Sequence, residues 1–245
     1  TDHRREASHG AVPQHPARGM MRAPDGRPMA VARTFKPRRR RMSQARSTAF
    51  EELLPLFGLD VEGPPTSAEE IFERSAPVAL EIGSGAGEAA IASALAEPGV
   101  DLIAADVHTP GIARLLVDLH SHELTNLRVI HGDALEFITR LPAPTFTEIR
   151  VWFPDPWPKP RQRQRRLVAE PIIGRLVPWI VGGGRLRMAT DIDDYAEQML
   201  AVCSAHPELD GGIVARPSDR PVTRFERKGV EAGRAVTDLA FVRKM

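Results

Sequence analysis

Four carboxylates, Glu81, Asp106, Asp133 and Asp155, stand where this 245-residue chain could hold a small cationic or nucleoside ligand. Each closes or follows a short apolar run: Val78–Ile82, Asp101–Val107, Leu127–Ile130 and Glu148–Phe153. The first run passes into Gly83-Ser84-Gly85-Ala86-Gly87. Glycines there, Gly83 and Gly85 above all, let the backbone turn tightly and come close to a ligand. A dinucleotide fingerprint needs glycine at its sixth position, but this chain has Glu88. A carboxylate at that helix N-terminus would repel a pyrophosphate. The ligand favoured is therefore one without phosphates, S-adenosylmethionine. Asp106 can accept hydrogen bonds from both ribose hydroxyls, and Asp133 from the exocyclic amine of an adenine. Glu81 can either organise the glycine turn or neutralise the cationic end of the cofactor. Taken singly, each acid is more often a helix cap or a solvated loop residue. At the ends of successive strands, the four together favour a nucleoside cofactor.

The elements that must position these acids alternate between strand and helix. Ser43 can N-cap a helix whose Ala45, Ala49, Phe50, Leu53 and Leu54 share one face, ended by Pro55 and Gly58. Ser67 and Glu70 form a capping box for a short helix through about Arg74. Helices follow the first three strands, reaching about Glu97, His122 and Arg140, with Thr109-Pro110 expected as N-cap and first-turn proline. A further helix is expected from about Arg165 to Ile180, then a strand over Arg185–Met188 and a helix over Ile192–His206. Residues 213–216 and 236–243 can close the sheet. This alternation predicts an α/β fold: a doubly wound, mostly parallel seven-stranded sheet with helices on both faces. Ligands of such sheets bind beyond the carboxyl ends of the strands, near the switch in strand order.

The most specific segment runs from Val151 to Val168 and contains Phe153-Pro154-Asp155-Pro156-Trp157-Pro158-Lys159. Two prolines hold Asp155 in an extended turn, aromatics surround it, and the cations of Arg161-Gln162-Arg163-Gln164-Arg165-Arg166 follow. With Leu80-Glu81-Ile82-Gly83, Asp106-Val107-His108, Met188-Ala189-Thr190-Asp191 and Arg220-Pro221-Val222-Thr223-Arg224-Phe225-Glu226, it resembles the bacterial tRNA (guanine-N7-)-methyltransferase family from about Arg33 to the C-terminus. The resemblance implies a Rossmann-like class I methyltransferase that uses S-adenosylmethionine to make 7-methylguanosine, in the variable loop of tRNA. It implies that Glu81, Asp106, Asp133 and Asp155 line the cofactor site. It implies that Lys159, Asp191, Thr223, Arg224, Phe225 and Glu226 meet the substrate, and that Arg161 to Arg166 touch RNA. Asp155 would be the catalytic residue, orienting guanine and stabilising charge. Asp106 stands where many members have Glu, Arg224 replaces the usual Lys, and Pro160, Gln162 and Gln164 replace residues that are often basic or His. Trp152, Phe153, Trp157 and Phe225 are candidate stacking surfaces, at least two of them expected in the core.

A Pro-flanked acid with an aromatic after the fourth strand also resembles S-adenosylmethionine-dependent amino-methylases of DNA or RNA. Those usually show two adjacent prolines before the aromatic, whereas here the prolines flank Asp155 separately. The intact acids count against a non-catalytic RNA-binding protein, and Glu88 counts against a nicotinamide-dependent oxidoreductase.

The charge balance, 33 Lys+Arg against 32 Asp+Glu, hides a split. Residues 1–48 sum to +9 (12 basic, 3 acidic) and the remainder to −8 (21 basic, 29 acidic). The basic part is densest around Arg38, Arg39, Arg40 and Arg41, which reads equally as a solvated tail or as an arm for phosphates. The expected organisation is a disordered tail or non-native remnant at 1–32, a basic arm at 33–46 and a methyltransferase domain at 47–245. No stretch approaches about 18 consecutive apolar residues, and no apolar run of the signal-peptide type opens the chain. The single Cys203 fits a reducing compartment. The expected location is the cytoplasm, with tRNA as partner, no membrane contact, no obligate protein partner, and a monomer or homodimer. His3, His9 and His15 are too scattered to suggest a metal.

Overall fold

The computed structural model describes residues 42–245. Seven strands form one sheet in the order β3-β2-β1-β4-β5-β7-β6. They are β1 Val78–Ile82, β2 Asp101–Asp106, β3 Leu127–His131, β4 Phe146–Trp152, β5 Ile180–Thr190, β6 Leu209–Val214 and β7 Thr237–Arg243. β1 to β5 run parallel, and β7 lies antiparallel between β5 and β6. The helices are α1 Gln44–Phe57, α2 Ala68–Phe72, α3 Glu88–Ala96, α4 Thr109–Ser121, α5 Ala134–Phe137, α6 Glu170–Leu176, α7 Asp193–Ala205 and α8 Arg224–Glu231. The expected doubly wound architecture is present. The chain builds outward from β1 to β3 and then returns to β4, so the strand order switches between β1 and β4.

Both faces of the central strands are buried, which is why β1 reads as a continuous apolar run rather than an alternating one. On one face Ala79, Leu102 and Ala104 pack with Ala90, Ile112, Leu116 and Leu119 of α3 and α4, and α1 adds Phe50, Leu53, Leu54 and Phe57. On the other face Leu80, Ile103, Ile149 and Leu186 pack with Phe137, Ile173, Leu176, Tyr195 and Met199.

Several boundaries depart from the sequence expectations. α1 continues through Pro55 to Phe57, and Gly58 donates its N–H to the Leu54 carbonyl at 2.7 Å before the chain pairs with β3 at Val129. The expected boundary at 46/47 falls inside this helix, whose Phe50, Leu53, Leu54 and Phe57 pack against the core. His108 occupies the N-cap position of α4 without a side-chain capping bond, and the Thr109 hydroxyl pairs with His131 at 3.0 Å. The helix expected from Arg165 begins at Glu170, because Pro171 lacks an N–H and fits only in a first turn. Residues Pro160–Arg165 form a 3-10 helix instead. β5 extends back through Gly182–Gly184, β6 starts at Leu209 rather than 213, and α8 lies where only a motif was read.

The glycine turn is held against the start of α4. A Cβ on Gly111 would meet the Gly85 carbonyl oxygen at 2.3 Å. In an ordinary exposed helix position Gly→Ala would stabilise by about 1 kcal/mol. At this site overpacking should reverse the sign, destabilising Gly111→Ala by about 1–3 kcal/mol. Urea unfolding checks it; a variant more stable than the parent would show that the turn and α4 are not in contact.

Candidate active site

A cleft of about 1240 Å³ opens at the carboxyl ends of β1 to β4. Its lining brings together Glu81, Gly83, Gly85, Asp106, Asp133, Asp155, Thr223, Arg224 and Phe225. The glycine turn forms one wall. Gly83 and Gly85 have φ of 82° and 58°, and a Cβ on either would meet nothing within 4 Å. Both use the left-handed region that glycine enters without strain, and both leave open space beside the cleft.

Asp106 fixes this wall. One carboxylate oxygen accepts the Gly85 N–H and the other accepts the His108 N–H, both at 2.7 Å. Each oxygen keeps a second lone pair, so two ligand hydroxyls can still be accommodated. Asp133 is the N-cap of α5, accepting the Leu135 N–H at 2.9 Å through one oxygen. It lines the cleft as well, so its capping role and a ligand role coexist.

Glu81 is 2 % exposed on the central strand, and its Oε2 has no hydrogen-bond partner. Burial pushes its carboxyl up to about 7, offset by Arg150 and reinforced by Asp106. Two further cleft-lining residues, Ser84 and Trp152, also carry a buried polar atom without a partner, Oγ and Nε1. Buried polar groups left unpaired are costly. Three of them on one cleft fit a polar ligand. Open space at the turn, acceptor capacity at Asp106 and Asp133, and an acid whose ionisation a cation would favour match S-adenosylmethionine.

Asp155 is exposed at the cleft's edge. It sits between Phe153 and Trp157, whose φ values are +50° and +41°. Left-handed backbone is an outlier for bulky aromatics, and such strain persists only where surrounding contacts over-determine it. Phe153 is pinned through its N–H to the Ala189 carbonyl of β5 at 2.8 Å. Of the expected stacking aromatics, Trp152 is buried, Phe153 and Trp157 are half-buried, and Phe225 is 75 % exposed.

The remaining substrate candidates divide. Thr223 N-caps α8, accepting the Glu226 N–H at 3.2 Å, and so presents Arg224 and Phe225 to the cleft. Glu226 does not reach the cleft. It is 5 % exposed, receives both Arg220 Nη groups at 2.8 Å and Arg216 Nε at 3.0 Å, and anchors α8. Asp191 lies outside the lining and pairs with Arg234 at 2.6 Å. Lys159, Arg161, Arg163 and Gln164 are exposed on the loop beyond Asp155, Gln162 is half-buried, and Arg165 stacks 5.1 Å from the Trp157 ring. Arg166 corrects the expected RNA contact: its side chain is fully buried and cannot meet a phosphate. Arg38, Arg39, Arg40 and Arg41, like residues 1–32, lie outside the described residues.

Glu88, which the sequence offers only as a missing glycine, has a partner. Its Oε2 accepts the Arg224 N–H of α8 at 2.5 Å. The partner is 136 residues away, so no local pattern announces it. Ser84 and Trp152 were likewise legible only as a loop residue and an aromatic. Among the described residues, no group of three His, Cys, Asp or Glu side chains is placed to hold a metal, and no helix is long and apolar enough to cross a membrane.

The chain is similar to known methyltransferases. Residues 75–239 match a family model described as "Putative methyltransferase". The chain is 40% identical to a tRNA (guanine-N(7)-)-methyltransferase of Streptomyces coelicolor, over 98% of this chain and 94% of that protein. It is 42% identical to the protein of the same name from Nitrosospira multiformis, over 89% of this chain and 96% of the relative. Among solved structures, the 16S rRNA methyltransferase KamB superposes with a TM-score of 0.53 at 15% identity, covering 74% of this chain and 95% of that one. That likeness is one of fold.

The state of Glu81 gives a test in two directions. Folding raises this carboxyl from 4.5 to about 7, so the protonated form is favoured in the native state. The stability it contributes is complete below 4.5 and is lost as pH rises through about 7. Glu81→Gln should therefore be more stable than the parent at pH 8 without cofactor, by about 3 kcal/mol at ~1.36 kcal/mol per pKa unit. That gain should shrink toward pH 5, and the melting shift caused by S-adenosylmethionine should fall. Equal melting temperatures at pH 8 would remove Glu81 as a buried charge.

Proposed function

The chain belongs to the tRNA (guanine-N7-)-methyltransferase family, and from that premise we propose how its cleft works. The enzyme transfers a methyl group from S-adenosylmethionine to N7 of a guanine in tRNA, forming 7-methylguanosine, with Asp155 orienting and polarising the purine. The observation that carries this reading is the placement of Asp155 on the edge of the same cleft that holds Glu81, Asp106 and Asp133.

When bound, the cofactor supplies an electrophilic methyl group on a sulfonium. Guanine N7 already has an available lone pair, so no side chain need remove a proton to create the nucleophile. What the protein must supply is alignment, which can contribute about 7–11 kcal/mol, and charge stabilisation. Asp106 would accept from the ribose hydroxyls and Asp133 from the adenine amine, and Glu81 would offer its carboxylate to the cationic end. Asp155 accepts from guanine N1–H and the exocyclic amine. Methylation leaves positive charge on the purine, and a carboxylate held beside it stabilises that charge as it develops. Adenine, with an unprotonated N1, would set acceptor against acceptor. Asp155 is thus an orienting and electrostatic residue rather than a general base.

A guanine in folded RNA must be exposed or drawn from its stack before its N7 is reached. Phe225, exposed on α8, offers the stacking surface. Thr223 and Arg224 set that helix at the mouth. Lys159, Arg161 and Arg163 stand on the loop beyond Asp155, while Arg46 and Lys228 line the mouth itself. Cations in these two places suit a polyanion laid across the opening, with phosphates fixing register and Asp155 reading the base. The charge of Arg38 to Arg41 suits phosphates as well. The target guanine would lie in the variable loop of tRNA, and the enzyme would work in the cytoplasm.

Incubation with labelled S-adenosylmethionine and unmodified tRNA, followed by nucleoside analysis, should give 7-methylguanosine. A methylated exocyclic amine would select the amino-methylase reading instead. Asp155→Asn should lower kcat by about 10²–10³-fold, the range for loss of one preorganised electrostatic contact, while cofactor affinity changes only a few-fold. Near-parental turnover in that variant would remove Asp155 from the mechanism.

A further inference from the structure

The last residue of the basic run behaves unlike the others. Arg166 is 0 % exposed, and its guanidinium reaches three groups at once. Its Nε–H donates to the Pro156 carbonyl at 2.8 Å, Nη1 to the Gln198 side chain at 2.9 Å, and Nη2 to the Asp194 carboxylate at 2.7 Å. The plane also stacks 4.6 Å from the Tyr195 ring centroid. Asp194, Tyr195 and Gln198 all belong to α7. The same helix secures the next residues of the strap, since Tyr195 accepts the Val168 N–H at 3.0 Å and Gln198 donates to the Val168 carbonyl at 2.9 Å.

Pro156 is the residue after Asp155. The loop is therefore held on both sides of the carboxylate: by Phe153 N–H on β5 before it, and by Pro156 C=O on Arg166 after it. Pro154 and Pro156 fix their own φ angles, while Phe153 and Trp157 occupy left-handed backbone that neither would adopt unaided. A loop under that strain keeps its shape only while its fastenings hold. A planar fork with five donors can fasten a carbonyl, an amide and a carboxylate together, whereas an ammonium cannot reproduce that arrangement.

We infer that Arg166 is a positioning residue for methyl transfer: it fixes the loop carrying Asp155 from behind and makes no contact with RNA. This rests on the function proposed above, which assigns Asp155 its role. It also divides the basic run in two. Arg161, exposed, is placed to meet phosphates, whereas Arg163 is exposed but paired with the Asp194 carboxylate at 2.9 Å. Arg166 spends its charge inside the protein.

Steady-state kinetics and tRNA binding at several salt concentrations test this on Arg166→Lys and Asp194→Asn. Arg166→Lys keeps the charge and loses the fork; kcat at saturating tRNA should fall at least tenfold, with S-adenosylmethionine affinity within about twofold of the parent. The slope of log affinity against log salt should stay at the parental value, whereas Arg161→Gln should reduce it by about one. Asp194→Asn weakens the anchor from outside and should lower kcat about threefold or more in the same selective way. A reduced salt slope in Arg166→Lys with parental kcat would overturn the inference and restore the RNA contact. If Arg166→Lys fails to fold by circular dichroism, Asp194→Asn decides, and parental kcat there overturns it. Failure of the parent to form 7-methylguanosine would instead strike the function; an active parent with fully active variants strikes only the positioning role.

Discussion

A carboxyl group on β1, an interior strand buried on both faces, is the constraint around which this cleft is arranged. Glu81 cannot be solvated, and it cannot be removed from the ligand's path, because β1 ends at the switch in strand order. Its neighbours are set by register. Arg150 stands opposite on β4 and lowers the cost of its charge, while Asp106 at the end of β2 raises it. An acid caught between these influences is poised near neutrality and gains most from a cation delivered at its free oxygen. The other parts of the cleft meet the same requirement. Asp106 is spent on two backbone amides that hold the turn open, and Gly111 lets α4 close behind that turn.

In the opposite half of the sheet, paired charges add to the apolar contacts of β5, β6 and β7. Glu148 accepts from Arg150 and from Arg187, which lie directly opposite each other on β4 and β5 and would otherwise repel. Arg187 continues to Asp219 at 2.7 Å, and its guanidinium lies 5.6 Å from the Trp152 ring. Arg220 lies 5.9 Å from the same ring, binds Glu226 at 2.8 Å, and meets Asp238 at 2.6 Å. Removing one member of such a buried set leaves its partner uncompensated, so the set locks geometry more than it adds stability. The geometry it locks is that of α8 against the end of β4. Glu226, expected to meet substrate, acts one step back by holding the helix whose first turn carries Arg224 and Phe225.

Much of this was legible in the chain. The four strands that carry the acids are short apolar runs ended by turn chemistry, and their burial on both faces makes the signal local. The acids at their ends could then be placed in one cleft from topology alone. What was not legible depends on partners distant in sequence. β6 contains Asp210-Gly211-Gly212, a poor strand by composition. It exists because β7 pairs with it, and a Cβ at Gly211 would lie 2.1 Å from the Ala240 carbonyl oxygen. α8 is polar and contains Gly229, with only Thr223 and Glu226 as local helix signals. Arg166 looked like the end of a basic run, because nothing in that run distinguishes the residue whose partner lies 28 positions on, at Asp194.

Glu88 shows how one residue can carry two readings that turn out to be the same. In a dinucleotide fold, glycine at this position leaves the helix N-terminus open to a pyrophosphate. A carboxylate closes that approach, which is why the sequence favours a nucleoside without phosphates. The closing group is not idle, however. It accepts the first amide of α8 at 2.5 Å and sits 3.9 Å from Arg227. A carboxylate is favoured at a helix N-terminus, where unpaired N–H groups and the macrodipole both attract it. Glu88 occupies two such places, beginning α3 and meeting the start of α8. The departure from glycine therefore excludes one class of cofactor and, by the same side chain, joins the half of the cleft that holds the nucleoside to the half that presents Phe225. A residue without a side-chain acceptor here would lose both at once, whereas an amide would keep the hydrogen bond to α8 and lose only the repulsion.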